Sequence, residues 1–183
     1  MMDNLKLIAI VGMPGAGKSL AADFFRNKGL PVLRFGDQTD IGLKEQGLPL
    51  TDANERKYRE DLRRELGMAA MAIKIEPRIQ KALEQNNAVV LDGLYSWEEY
   101  IHLKEKFPSI EMLCIYARPE TRYSRLGRRP VRPLGRKEAE ERDISEIENL
   151  NKGGPIARAD YLVINEGTEG EFRKNLEIYY SSL

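Results

Sequence analysis

The chain has 183 residues, and its 29 Lys and Arg residues balance 29 Asp and Glu residues, so the formal net charge is zero. This length predicts one domain spanning residues 1–183, with room for a small insertion. A composition of 42% apolar and 32% charged residues supports a sizeable core and excludes a disordered chain. The balanced charge also lacks the basic excess of a dedicated DNA- or RNA-binding domain, so a nucleic acid is not an expected partner.

Residue usage excludes two further classes of protein. The single cysteine, Cys114, can form neither an intramolecular disulfide nor a zinc cluster, which favours a reducing, cytoplasmic location. The longest early apolar run, residues 7–11, is far too short to span a membrane. We therefore expect neither a transmembrane helix nor a signal peptide.

Short apolar runs that are rich in β-branched residues alternate with helical patterns along the chain. The runs are continuous rather than alternating, which is typical of strands buried on both faces of a parallel sheet. The predicted strands are residues 5–11, 31–35, 88–91, 112–116 and 161–164. The predicted helices are residues 18–27, 52–86, 97–107, 119–129, 137–151 and 169–180. This order predicts an α/β fold with a five-stranded parallel sheet between two layers of helices.

Local motifs set several of the predicted helix boundaries. Ser96 with Glu99 and Thr168 with Glu171 both have capping-box spacing, which predicts helix starts at residues 97 and 169. Pro77 lies inside the long helical pattern and lacks the N–H that a helix interior needs. We therefore expect that pattern to break or kink near residue 76.

The strongest motif follows the first predicted strand. The sequence GMPGAGKS at residues 12–19 satisfies the G-x-x-x-x-G-K-[ST] pattern, and a helical pattern begins at once after it. Glycines allow backbone N–H groups to surround phosphate oxygens, Lys18 can reach the β- and γ-phosphates, and Ser19 can bind Mg²⁺. The predicted nucleotide-binding residues of this loop are Gly12, Gly15, Ala16, Gly17, Lys18, Ser19 and Leu20.

Two aspartates follow buried strands at the edge of the sheet where open α/β folds bind ligands. Asp92 ends the third strand, and beside a phosphate-binding loop it is a candidate for holding Mg²⁺ together with Ser19. Asp37 follows the second strand. It is either a turn residue or a catalytic residue that lies beside the transferred phosphoryl group.

Residues 118–137 carry eight basic side chains and one acidic side chain, a concentrated cationic segment in a chain of zero net charge. Arg122, Arg125 and Arg129 have the spacing of one helix face, so they could converge on a polyphosphate. The alternative is a solvated charged face that is balanced by the acidic residues 138, 140, 141 and 143. The stretch 127–135 contains two prolines and precedes another helical pattern. This layout predicts a lid over residues 125–142.

Several blocks together resemble P-loop kinases of the nucleoside monophosphate kinase type, and within them an adenylate-kinase-related family. The blocks are GMPGAGKS at 12–19, FGD at 35–37, GLPLTDAN at 47–54, VVLDGLYSWEEY at 89–100, RPETRYSRL at 118–126, ERD at 141–143 and ADYLVINEG at 159–167. They span nearly the whole chain. The resemblance implies a three-layer α/β/α P-loop NTPase fold with five parallel strands, a helical acceptor-binding insert over about residues 37–86 and an arginine-bearing lid.

The same resemblance implies an ATP-dependent kinase that uses Mg²⁺ and phosphorylates a nucleotide-like small molecule. It implies ATP at residues 15–19 and an acceptor site formed by Asp37 and the helices after it. The lid arginines would be Arg125, Arg129 and Arg142, while Asn165 and Gly167 would flank the adenine. The predicted catalytic residues are thus Lys18, Asp37, Asp92, Arg125, Arg129 and Arg142.

One departure from the family pattern leaves the acceptor open. Adenylate kinases have an arginine just after the Asp-Gly of the third strand, where this chain has residues 94–96, Leu-Tyr-Ser. Arg63, Arg64 or Arg78 could replace it. A hydroxyl acceptor, as in dephospho-CoA kinases, suits the missing arginine. A third alternative is a slow regulatory or RNA-associated P-loop NTPase.

Overall fold

The computed structural model describes residues 5–183, so residues 1–4 of the predicted domain lie outside the described part. The five strands of this part are β1 Lys6–Val11, β2 Val32–Arg34, β3 Ala88–Asp92, β4 Ile110–Tyr116 and β5 Tyr161–Ile164. Its helices are α1 Lys18–Asn27, α2 Asp37–Glu45, α3 Asp52–Leu66, α4 Ala70–Gln85, α5 Trp97–Lys106, α6 Pro119–Gly127, α7 Arg136–Leu150, α8 Gly153–Ala157 and α9 Glu169–Tyr180.

The strands form one parallel sheet in the order β2-β3-β1-β4-β5. The α/β class and the five-stranded parallel sheet are therefore confirmed. β1 lies in the centre, and four of its residues, from Leu7 to Ile10, are at most 1% exposed, which explains its unbroken apolar sequence. The order changes direction beside β1, so the carboxyl ends of β1 and its neighbours open onto the crevice where such sheets bind ligands.

Two apolar clusters cover the two faces of the sheet. One face packs against α1 and α9 through Phe25, Phe172 and Tyr179. The other face packs against α4 and α5, with Ile75 and Leu103 fully buried. Helices α2 to α4 fill the segment between β2 and β3, where the sequence predicts the insert. No described helix is both long enough and apolar enough to cross a membrane.

The break in the long helical pattern lies elsewhere than predicted. The chain reverses at Gly67, whose φ of +79° ends α3, and α4 starts at residue 70. Pro77 lies inside α4, so the prediction of a break near residue 76 is wrong. The proline removes one backbone hydrogen bond, but burial of Ile75 and Ile79 on either side of it holds the helix together.

Both capping boxes are present. Ser96 accepts the N–H of Glu99 at 3.0 Å, and Glu99 in turn accepts the N–H of Ser96 at 3.1 Å. Thr168 and Glu171 form the same reciprocal pair at the start of α9. Capping works from groups that are four residues or fewer apart, so these helix starts follow directly from the sequence.

Candidate active site

The phosphate-binding loop connects β1 to α1, and its glycines adopt conformations that side chains rarely allow. Gly12 has a φ of +139° and Gly17 a φ of +110°. A Cβ on Gly12 would lie 2.3 Å from the carbonyl oxygen of Ile115. A Cβ on Gly17 would lie 2.3 Å from the side-chain Nδ2 of Asn165. The loop therefore needs glycine both for its backbone turn and for its close packing against β4 and the residue after β5.

A cavity of about 890 Å³ lies over this loop at the carboxyl edge of the sheet. Nine of the predicted site residues line it: Gly15, Gly17, Lys18, Ser19, Leu20, Asp92, Arg125, Arg129 and Arg142. Seven basic but only two acidic side chains contribute to its wall, in a chain of zero net charge. The cavity therefore suits a ligand with several negative charges. Part of the predicted lid, including Arg129 and Pro130, forms its outer wall.

Lys18 is turned toward the loop itself. Its ammonium group donates to the carbonyl oxygens of Gly12 at 2.8 Å and Met13 at 3.1 Å. Burial, together with the nearby charge of Lys152, lowers the pKa of Lys18 to about 7, although Glu146 and Asp92 oppose this shift. Anionic oxygens in the cavity would stabilise the charged form of this lysine.

Ser19 and Asp92 provide the oxygen groups of a possible Mg²⁺ site. Burial raises the pKa of the Asp92 carboxyl group, and the neighbouring cations Arg34 and Lys18 oppose that rise. Residues 5–183 contain no cluster of three or more His, Cys, Asp or Glu side chains suited to a metal. Mg²⁺ is usually held by one or two protein oxygens together with water and substrate phosphates. These two residues fit that ion.

Arg122 does not reach the cavity, although its spacing suggests that it shares a face with Arg125. Its guanidinium forms two hydrogen bonds to Asp143, at 2.9 Å and 2.6 Å, and a third to the carbonyl oxygen of Pro14 at 3.1 Å. The prediction that Arg122 converges on the phosphates with Arg125 and Arg129 is therefore wrong. Arg122 instead stabilises the phosphate-binding loop through its hydrogen bond to Pro14.

Asn165 and Gly167 also lie outside the cavity lining. Asn165 donates to the carbonyl oxygen of Ala16 at 2.8 Å and accepts from Arg125 at 3.3 Å, so it ties the loop to α6. A Cβ on Gly167 would lie 2.2 Å from Glu171, the capping residue of α9. In this structure, both residues organise the loop and the helix next to it.

Asp37 lies apart from the other predicted catalytic residues. Its carboxylate is 3.3 Å from Arg78 and 3.8 Å from Arg34, and it lines neither of the two cavities described in this section. Arg34 also comes within 4.0 Å of Asp92. Arg34 therefore connects Asp37 with Asp92 in the wall of the cavity.

A second, smaller cavity of about 300 Å³ adjoins the first one. Four residues line both cavities: Gly36, Tyr95, Arg142 and Glu146. The rest of its wall combines apolar groups with Thr39, Arg59, Arg63 and Glu99. The hydroxyl of Thr39 and the Nε of Arg63 are buried and have no hydrogen-bond partner among the described residues. Buried polar groups without a partner are rare in folded proteins, so these two call for a bound water, ion or ligand group close by.

Three arginines could replace the one that adenylate kinases have after the third strand, and they lie in different places in the structure. Arg63 lines the second cavity, whereas Arg64 is exposed and pairs with Asp61. Arg78 pairs with Asp37. Helical spacing alone could not separate Arg63 from Arg64, because which of them faces β3 depends on how α3 packs.

Glu99 lines the second cavity and is only 1% exposed. Burial raises the pKa of its carboxyl group to about 7, against the hydrogen bonds from the backbone of Tyr95 and Ser96. The folded protein therefore favours the protonated form of Glu99. The stability that this form contributes is fully present below pH 4.5, the ordinary pKa of a glutamate, and is lost as the pH rises through 7.

We expect Glu99→Gln to remove this pH dependence. Between pH 5 and pH 8 the wild-type free energy of unfolding should fall relative to that of the variant by about 2 kcal/mol. Urea unfolding at several pH values measures it. Glu171→Gln is the matched control, because Glu171 occupies the same capping-box position at an exposed helix start. Parallel pH profiles for wild type and Glu99→Gln would contradict the assignment.

Sequence reasoning missed Lys152, Glu146 and Tyr95, which line the first cavity. Lys152 is 1% exposed, and its ammonium group donates to Glu146. No motif or periodicity distinguishes this lysine from the surface lysines of the chain. Its role depends on a contact between the end of α7 and the loop after β3.

Comparison with known proteins agrees with this geometry. A family model described as an AAA domain matches residues 8–148. The chain is 32% identical over 176 residues to a UPF0200 protein from Pyrococcus abyssi, with 94% of each chain covered. The chain belongs to the UPF0200 family of AAA-domain proteins.

Solved structures show the fold of this UPF0200 protein. It resembles the dephospho-CoA kinase from Campylobacter jejuni with a TM-score of 0.63 at 15% identity, covering 97% of both chains. It also resembles a shikimate kinase from Bacteroides thetaiotaomicron with a TM-score of 0.58 at 14% identity, again covering 97% of both chains. At these identities the likeness concerns the fold alone, which is that of P-loop kinases.

Proposed function

We propose that this protein is an ATP-dependent kinase that transfers the γ-phosphoryl group to a nucleotide-like small molecule. One observation carries the proposal: two cavities share a wall, and one contains the phosphate-binding loop while the other contains buried polar groups without partners. A simple NTPase needs only the first cavity. Two adjoining cavities suit a donor and an acceptor that must meet for in-line transfer.

The chain's own residues would act by positioning and by charge. The N–H groups of the loop and Lys18 would hold the β- and γ-phosphates, and Arg125, Arg129 and Arg142 would balance charge in the transition state. Mg²⁺, held by Ser19 and Asp92, would supply further neutralisation of the phosphates when bound. The lid segment, residues 125–142, would exclude water during transfer.

The acceptor would lie in the second cavity with an anionic group near Arg63. The segment after Asp92 offers no alternative cation for the acceptor at Leu94 or Ser96. Leu94 is buried, and the Ser96 hydroxyl caps α5. Neither side chain is an arginine that could bind a phosphate. Arg63 provides a cationic side chain in the wall of the second cavity, inside the region where the sequence predicts the acceptor-binding insert.

A hydroxyl acceptor is the second candidate. The likeness in fold to a dephospho-CoA kinase supports it, together with the missing arginine after β3. A regulatory or RNA-associated NTPase is the third candidate, and the balanced net charge argues against its RNA contacts. Burial raises the pKa of Cys114 to about 11, so this thiol is not a candidate nucleophile for the reaction.

The test is phosphoryl transfer from ATP·Mg²⁺ to a panel of nucleoside monophosphates, deoxynucleotides, nucleosides and dephospho-CoA. We expect transfer to one class of acceptor and its loss in Asp92→Asn. Transfer to dephospho-CoA alone would favour the second candidate. Slow hydrolysis with every acceptor, together with RNA binding that weakens with salt, would favour the third.

Arg63→Gln should raise the KM for the acceptor by about tenfold to a hundredfold and leave the KM for ATP nearly unchanged. The reason is that a hydrogen bond to a charged group contributes roughly 1.5–3 kcal/mol. Arg64→Gln is the matched control, because Arg64 follows Arg63 directly in the chain but is exposed and pairs with Asp61. Equal effects of the two substitutions on the acceptor KM would exclude the proposed acceptor contact.

A further inference from the structure

Lys152 is a second lysine in the wall of the phosphate cavity. It caps the start of α8, far along the chain from the phosphate-binding loop, yet it lines the same cavity as Lys18. Its side chain is 1% exposed. Lysine is almost never buried to this degree unless its charge is paired, so the surroundings of Lys152 require an explanation.

Two side chains contact the ammonium group of Lys152. Its ammonium group donates to one carboxylate oxygen of Glu146 and lies 4.5 Å from the centre of the Tyr95 ring. The other carboxylate oxygen of Glu146 accepts from Arg142 at 3.0 Å. Glu146 therefore shares one negative charge between two basic side chains that both line the first cavity. Burial lowers the pKa of Lys152, and the charge of Glu146 opposes that shift.

The position of Lys152 and Glu146 distinguishes them from an ion pair with a purely structural role. Tyr95, Arg142 and Glu146 each line both cavities. Because Lys152 contacts Tyr95 and Glu146, it lies close to the boundary between the first cavity and the second one. A transferred phosphoryl group has to pass this wall. A cation that is already held in place there costs no reorganisation when charge develops on the phosphoryl oxygens.

We propose that Lys152 is a catalytic residue that contacts the transferred phosphoryl group. This rests on the proposed kinase function and adds a lysine that the phosphate-binding motif does not contain. During transfer the bond from the γ-phosphorus to the bridging oxygen breaks, and its electron pair leaves on the ADP oxygen. An ionised oxygen of a phosphate acceptor forms the new bond to phosphorus. Lys152 keeps its proton and supplies positive charge only.

The test compares the binding of ADP·Mg²⁺ and of the non-hydrolysable β,γ-imido analogue of ATP with Mg²⁺. Lys152→Met should weaken binding of the imido analogue about tenfold to a hundredfold and change the affinity for ADP by less than about twofold. Its kcat should fall about a hundredfold. Lys152→Arg should restore part of both losses. Lys174→Met, at an exposed lysine of α9 outside both cavities, is the control.

Each outcome is decisive. Equal affinity of wild type and Lys152→Met for the imido analogue would overturn the role of Lys152 and leave the kinase proposal intact. A wild-type protein that binds neither nucleotide would overturn both. If Lys152→Met fails to fold, the double variant Lys152→Met/Glu146→Gln removes both charges of the pair. That variant should then lose the same preference for the imido analogue over ADP, and retention of the preference overturns the inference.

Discussion

Replacing Arg122 with Met is expected to lower the free energy of unfolding by about 3–5 kcal/mol. The Arg122 side chain is 5% exposed and that of its partner Asp143 is 9% exposed. Without the arginine, Asp143 keeps only the hydroxyl of Tyr123, at 3.0 Å, among its described side-chain partners. A buried carboxylate that has lost its counter-ion is destabilising because neither water nor a cation compensates its charge.

Urea unfolding measures this loss. Arg118→Met is the matched control at the start of the same helix, because Arg118 is 71% exposed and pairs with Glu166 at 3.3 Å. Its effect should stay within about 1 kcal/mol. The double variant Arg122→Met/Asp143→Leu should recover much of the loss, since it removes both buried charges. Equal losses in Arg122→Met and Arg118→Met would contradict the supporting role of Arg122.

Arg122→Met should also affect nucleotide binding. The guanidinium holds the carbonyl oxygen of Pro14 inside the phosphate-binding loop. Loss of this contact should raise the KM for ATP severalfold in protein that remains folded.

Lys18→Ala is the substitution with the largest expected effect on activity. We expect kcat/KM for phosphoryl transfer to fall about 10²–10³-fold, the usual cost of removing one group that stabilises transition-state charge. Lys18 lines the cavity and already lies against the loop carbonyls of Gly12 and Met13, so it needs little movement to meet a phosphate. Initial rates with the acceptor found in the panel measure the change.

Lys28→Ala is the matched control for Lys18→Ala. Lys28 follows the other end of α1 and donates to Glu177 at 2.7 Å, away from the cavity lining. Its activity should equal that of wild type. Full transfer by Lys18→Ala would contradict the kinase proposal itself, since phosphoryl transfer relies on charge neutralisation at this position.

Local signals predicted most of the fold. The bounds of α1, β5 and α9 agree with the prediction residue for residue. Unbroken apolar runs, glycines after helix ends and capping boxes act over a few residues, so each can be read without knowledge of distant contacts. The same holds for the phosphate-binding loop, because its glycines and Lys18 belong to one continuous motif between a strand and a helix.

Elements that depend on distant contacts were missed or misplaced. α2 contains Gly42, where a Cβ would lie 2.0 Å from the hydroxyl of Tyr58 on α3. α8 contains Gly154, where a Cβ would lie 2.6 Å from the ring of Trp97. Glycine is a poor helix former, and only the packing of a neighbouring helix explains its presence. The helix break moved from Pro77 to Gly67 for a related reason, because core packing outweighed one missing hydrogen bond.

The sequence by itself determined the α/β class, the phosphate-binding loop and the position of Asp92 at the strand edge. Only the tertiary structure decided which arginines line the cavity. Arg122 and Arg125 are three residues apart, yet Arg122 lies buried against Asp143 while Arg125 lines the cavity. The packing of α3 places Arg63 in the wall of the second cavity. The hydrogen bond to Glu146 positions Lys152. A motif encodes local backbone geometry, whereas the partner of a charged side chain depends on the whole fold.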